Sequence, residues 1–423
     1  MIHGFVPSYA PGQITSLGGS GMSAGGLNAA QLARIEQHLD SQYLAKGKLA
    51  GTLTAVWRRG ELAYLKPQGQ RDLASGAPMT EDTIFRIYSM SKPITSVALM
   101  MLYERGVFQL GDPVHRWIPE WAEQRVYVSG IYPHFQTRPV DRPMSVKDLL
   151  THMSGLTYDF MAATNVDAAY RKVGLRLQGS GLTLDAFAER LAPLPLLFSP
   201  GSSWNYSFAT DICGLLVERM SGLPLDQFLQ QEIFGPLKMV DTGFSVPEAE
   251  RHRFASNYER APDRSLRCID EASTSPFCQP ATFFSGGGGL LSTAHDYLRF
   301  CRMLLGGGTL EGVRIIGPKT LALMGTNHLP GGGDLTEWAQ GSFSETTYEG
   351  IGFGLGFAVN LGMAATSAVG TEGELFWGGA ASTIFWVDPK EDLACVFLTQ
   401  LMPSGTYNFR GQLKALVYGA IEP

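Results

Sequence analysis

The chain has 423 residues, 44% hydrophobic and 17% charged, with a net charge of −6. That length exceeds what one core ordinarily serves, so two lobes are expected, and the acidic balance gives a phosphate backbone no electrostatic hold, which excludes a nucleic-acid partner. No stretch approaches the roughly 18 apolar residues of a membrane span, and no charged-then-apolar leader is visible, so a cytoplasmic protein with no membrane partner is expected.

Residues 1–26 show no periodicity and read as a flexible leader. Gly21-Met22-Ser23-Ala24-Gly25 matches the G-x-S-x-G nucleophile elbow in form only, because no strand precedes it. Helical spacing follows over 28–46, and 51–64 reads as a hairpin turning at Arg58-Arg59-Gly60. Ser89 and Lys92, three residues apart, would share one face of a first helical turn, which Pro93 suits. The helix they open is apolar nearly all round, as a fully buried helix must be, and stops at Gly106. A hydroxyl and an amine fixed together there make a nucleophile with a base beside it. An S-x-x-K match also arises by chance, so it requires partners.

From 109 to 285 the pattern is helices and long loops with many Pro and Gly stops. Within it, Ser199 to Phe208 is a turn and a short exposed stretch feeding a helix from Ala209 to Met220, closed at Gly222. Tyr206 at that corner can point into a cleft, where a neighbouring ammonium would lower its pKa and let it take the serine proton. The plainer reading is a partly buried tyrosine with a satisfied hydroxyl. His152 reads as a hydrogen-bonded structural residue rather than the base of a Ser-His-Asp triad.

The Gly286–Gly289 run lacks the Gly-Lys-Ser/Thr of a phosphate loop and suits close backbone packing. An amphipathic helix follows over Ala294 to Leu305, then strand segments at 352–362, 373–377, 382–388 and 393–401, and a last helix near 408–421. Gly378 and Gly379 would let a ligand approach the strand that precedes them, and an amide there could face the Ser89 amide across an oxyanion. Strands at both chain ends imply a discontinuous α/β lobe (27–108 and 286–423), an inserted, mostly helical lobe (109–285), and an active site in the cleft between them. The five cysteines (Cys213, Cys268, Cys278, Cys301 and Cys395) form no metal-type cluster and read mostly as buried small hydrophobes in a reduced compartment. No metal or cofactor is expected.

In order and spacing, Ser89-x-x-Lys92, Tyr206-Ser207-Phe208 and Trp377-Gly378-Gly379 resemble the three signature elements of serine β-lactamases and penicillin-recognising enzymes. Trp-x-Gly stands where β-lactamases carry Lys-Thr-Gly, and in this the chain resembles the family VIII carboxylesterases, the esterase branch with the class C β-lactamase fold. The stretches 149–156 and 286–299 resemble the family as well. The resemblance implies an α/β class C β-lactamase-like fold, an antiparallel sheet flanked by helices plus an inserted helical domain. It implies Ser89 as nucleophile, Lys92 and Tyr206 as its activating pair, and the amides of Ser89 and Ala380 as the oxyanion hole. Trp377, Gly378, Gly379 and Phe208 would contact substrate. Phe208 replaces an asparagine that helps hold a β-lactam's amide side chain, and Trp377 replaces a lysine that helps anchor its carboxylate. The expected function is therefore a serine carboxylesterase acting on short-chain neutral esters through an acyl-enzyme on Ser89, with β-lactams as weak substrates. The alternative is a β-lactamase or penicillin-recognising peptidase using the same site. Retention of Ser89, Lys92 and Tyr206 argues against a non-catalytic binding module. Which of Lys92 and Tyr206 is the base stays open, since the two would titrate together.

Overall fold

The computed structural model describes residues 24–176, 181–341 and 345–422. Residues 1–23 of the stretch read as a leader, with Ser23, lie outside them. Ala24–Gly26 form a 3₁₀ turn held by Arg58, whose Nη1 donates to the carbonyls of Gly25 and Gly26 at 3.0 and 3.1 Å.

Helix α1 (Ala29–Leu39) is capped by Asn28, whose side chain accepts the Gln31 amide, and it buries Leu32, Ile35 and Leu39. Strands β1 (Gly51–Arg58) and β2 (Glu61–Asp72) form the expected hairpin, and β3 (Ala77–Pro78) extends it. Helix α2 (Ser91–Glu104) is buried from Ser91 through Leu102, as a helix apolar nearly all round is expected to be. Helix α3 (Ala209–Ser221) ends on Gly222 in the left-handed conformation, and α4 (Ala294–Leu305) is capped by Thr293. Strands β4 (Ile351–Phe353), β5 (Ala358–Asn360), β6 (Leu375–Gly378), β7 (Ile384–Asp388) and β8 (Leu393–Thr399) lead to α5 (Phe409–Tyr418).

One eight-stranded sheet runs β4-β5-β6-β7-β8-β1-β2-β3, antiparallel at every pairing. Its two halves come from opposite chain ends and join where β1 pairs β8, with Leu53 opposite Leu398. Strands β7 and β8 are buried at every residue because both faces of the sheet are covered. Tyr297 of α4 packs on Phe385, while Phe409 of α5 packs on Phe397, and the β7–β8 register puts those two rings on opposite faces.

Three differences from the sequence reading have local causes. The 352–362 strand is a hairpin: Gly354 donates to Phe357, and Gly356 turns at φ 91° with no room for a Cβ against Ser96. The 393–401 strand breaks at Gln400, whose side chain brackets the Arg86 backbone instead. The helical region also holds two antiparallel pairs, 125–131 with 134–139 and 257–260 with 266–270. The first and the 266–270 strand are largely solvent-exposed, so they carry no apolar alternation to betray them.

Candidate active site

Ser89 sits in a 3₁₀ turn (Tyr88–Met90) that runs into α2, rather than within the helix itself. Tyr88 takes φ 41°, a left-handed conformation worth about 1–3 kcal/mol of strain, and the surroundings hold it there. Ser91 Oγ donates to the Tyr88 carbonyl at 2.6 Å and accepts the Leu290 amide at 3.1 Å, while Tyr297 OH donates to the Met90 carbonyl at 2.9 Å.

Lys92 is 1% exposed, and its Nζ donates to Ser89 Oγ at 3.2 Å and to the Gly287 carbonyl at 2.6 Å. Nζ also lies 4.5 Å from the centre of the Tyr206 ring. Burial disfavours the ammonium and brings its pKa down to about 8, against the opposing pull of Asp211 and Glu345. Tyr206 is held in the segment before α3: the Asn205 amide donates to His152 O at 2.9 Å, and Asn205 Nδ2 to Leu156 O at 2.9 Å. Its phenol behaves opposite to the sequence expectation. Burial drives the pKa well above 10, Glu345 adds to the rise, and hydrogen bonding by Ser89 and Trp377 only moderates it. Desolvation outweighs any help from the neighbouring amine.

The structure thus brings Ser89, Lys92 and Tyr206 together, and Trp377 with them. The Trp377 indole is 1% exposed, 5.5 Å from the Tyr206 ring, and points its Nε1 at Tyr206 OH (3.4 Å). It is no open apolar wall. Phe208, read as substrate-facing, is fully buried between Tyr158 and Phe187, with ring centres 4.6 and 4.9 Å away. Gly378 and Gly379 are buried as well; a Cβ on Gly379 would fall 2.3 Å from the Ile87 carbonyl, so the end of β6 lies directly against the backbone leading to Ser89. Ala380 follows in a turn closed by Ser382 N to Gly379 O (2.9 Å) and is partly exposed.

Sequence reasoning missed two acidic groups. Asp211, buried in the first turn of α3, accepts Ser285 Oγ at 2.5 Å and the Gly287 amide at 3.1 Å, and so secures the loop whose carbonyl holds Lys92. An acid in a first turn ordinarily serves the helix dipole and gives no warning of this. Glu345, 8% exposed, acts on both Lys92 and Tyr206 from a loop without any motif. His152 is buried and neutral, with Nδ1 3.2 Å from Ser207 Oγ.

The model of the beta-lactamase family matches residues 34–418. The chain belongs to the beta-lactamase family. Among family relatives, Protein Rv1367c of Mycobacterium tuberculosis is 38% identical over 361 residues, covering 84% of this chain and 87% of its own. Esterase EstB of Burkholderia gladioli is 33% identical over 398 residues, covering 90% and 93%. The solved structure of EstCE1, a hydrolase with promiscuous acyltransferase activity, matches with a TM-score of 0.77 at 28% identity, covering 92% of this chain and 99% of its own. Within the beta-lactamase family the chain therefore stands with the family VIII, class C-like members and is an enzyme of that fold. Among the described residues no helix is long and apolar enough to cross a membrane.

Proposed function

We propose that this protein is a serine esterase that hydrolyses short-chain neutral esters through an acyl-enzyme on Ser89. The observation that carries the reading is the Lys92 amine 3.2 Å from Ser89 Oγ in a water-poor site that lowers its pKa to about 8. An amine of that pKa is partly neutral near pH 8 and can take the Ser89 proton as Oγ attacks the ester carbonyl. Tyr206, kept as a neutral phenol, donates a hydrogen bond toward the reacting oxygens rather than acting as the initial base. The Ser89 and Ala380 amides hold the oxyanion, the alcohol leaves with the proton, and water then releases the acid. An alcohol in place of water would give acyl transfer, the second activity named for EstCE1.

The β-lactamase alternative uses the same nucleophile and differs in substrate. Assaying purified protein on p-nitrophenyl butyrate and on a chromogenic cephalosporin separates the two, with Ser89→Ala as control. Higher kcat/KM for the ester, lost in Ser89→Ala, is the expected result; a preference for the cephalosporin would overturn the esterase reading.

A further inference from the structure

Glu345 precedes β4 and belongs to none of the motifs above. The residue is only 8% exposed, and Oε2 has no hydrogen-bond partner among the described residues. Burial raises the carboxyl's pKa, while the hydroxyls of Ser404 and Ser89 and the charges of Lys92 and Arg410 all lower it, so the group sits among the nucleophile and two cations. Arg410 comes from the first turn of α5. Its Nη1 donates to the Glu345 main-chain carbonyl at 3.0 Å, whereas Nε and Nη2 are buried without partners. The guanidinium also borders the Trp377-Gly378-Gly379 strand, since a Cβ on Gly378 would lie 3.0 Å from Nη2.

Trp377 carries no positive charge, yet the site does not lack one: Arg410 stands at the same strand. A buried guanidinium with free donors is a strong attractor for a carboxylate. Two acids, Glu345 and Glu374, act on Arg410; Glu374 is paired with Lys414, which leaves Glu345, the one that also acts on Lys92, to offset it. An anion brought by a substrate would meet a carboxyl already in place.

We infer that Glu345 is a specificity-determining residue: its carboxyl beside Ser89 offsets Arg410 and Lys92, so the site takes uncharged acyl groups and turns away esters that carry a carboxylate. The inference rests on the esterase reading and names the charge selection at that same site.

Glu345→Gln keeps the shape and removes the charge. With p-nitrophenyl butyrate and p-nitrophenyl hemisuccinate, wild type should favour the butyrate in kcat/KM. Glu345→Gln should raise the hemisuccinate-to-butyrate ratio roughly tenfold, the order of one charge-assisted hydrogen bond gained. Adding Arg410→Met should reverse that gain, and Arg410→Met alone, which serves if Glu345→Gln does not fold, should lower the ratio below wild type. A ratio that none of these variants moves overturns the inference. Binding supplies a test without turnover: in Ser89→Ala, monomethyl succinate should bind about tenfold more tightly once Glu345 is Gln, while methyl butyrate is unaffected. Equal tightening of both, or none, also overturns it. Should wild type hydrolyse neither ester, the esterase reading falls, and the Ser89→Ala binding comparison still decides the role of Glu345.

Discussion

At the scale of single residues, the site is governed by what burial does to each ionisable group. Lys92 and Tyr206 are both 1% exposed, and desolvation favours the neutral form of each, leaving the amine free to accept a proton near pH 8 and making the phenol a worse acid. The sign of the pH dependence follows. Below about pH 8 Lys92 holds its proton and cannot accept another, so kcat/KM should fall with decreasing pH through an apparent pKa near 8. A pH–rate profile on a neutral ester checks this, and a limb near 6.5 would implicate a histidine instead. Ser89→Ala should reduce kcat by on the order of 10⁴. Lys92→Ala and Tyr206→Phe should each remove most activity, with the double variant scarcely worse than the poorer single, because the pair acts as one unit. Additive losses would show that they act separately. Trp377→Phe tests the indole: losing one neutral hydrogen bond to Tyr206 should lower kcat about 2- to 10-fold with KM little changed. A change confined to KM would return Trp377 to direct substrate contact.

At the scale of elements, the site depends on backbones that approach one another more closely than side chains permit. The turn before α2, the Gly286–Gly289 loop and the end of β6 meet around Ser89, and glycines let them meet. A Cβ on Gly287 would lie 2.5 Å from Asp211 Oδ2, and one on Gly379 would lie 2.3 Å from the Ile87 carbonyl. Gly287→Ala would push away the loop whose carbonyl holds Lys92, and Gly379→Ala would separate β6 from the Ser89 turn. Each should cost about 1–3 kcal/mol of stability, as overpacking does, together with most activity. Gly111→Ala, where a Cβ meets nothing within 4 Å, is the control expected to leave activity near wild type. Denaturant midpoints and ester assays on the three variants check this, and an active Gly287→Ala would show that the loop does not position Lys92.

At the scale of the whole molecule, the C-terminal helix is locked to the sheet by a buried charge network. Lys414 of α5 pairs with Glu374 just before β6, and Tyr418 OH donates to Glu374 Oε2 at 2.9 Å and Asp388 Oδ2 at 2.8 Å. Glu374 is fully buried and Lys414 only 5% exposed, so neither charge is solvated if its partner is removed. Glu374→Gln should therefore destabilise the protein by roughly 3–5 kcal/mol, the usual penalty for stranding a buried charge. Glu374→Gln combined with Lys414→Met should recover part of that loss. The measurement is urea unfolding of both variants and wild type; equal stability of Glu374→Gln and wild type would show that the pair is not stabilising. The same helix carries Arg410 to the Glu345 carbonyl and the end of β6, so the network also fixes where that guanidinium stands.

The sequence by itself determined the elements whose signal is local. The nearly all-round apolar run of α2, the amphipathic period of α4 and the Arg58-Arg59-Gly60 turn between β1 and β2 each declare their structure within a dozen residues, and the spacing of Ser89 and Lys92 brings hydroxyl and amine together across a single turn. The remaining decisions are non-local. That β1 pairs β8 across more than 300 positions, that Asp211 reaches Gly287, and that Glu345 lies where Ser89 and Arg410 both act on it all depend on segments far apart in the chain. Burial decided the chemistry in the same way: the sequence places an amine near a phenol, but only the packing around them determines that the amine loses its proton easily and the phenol does not. Electrostatic free energy depends on how much water remains around a charge, and that is a property of the folded whole.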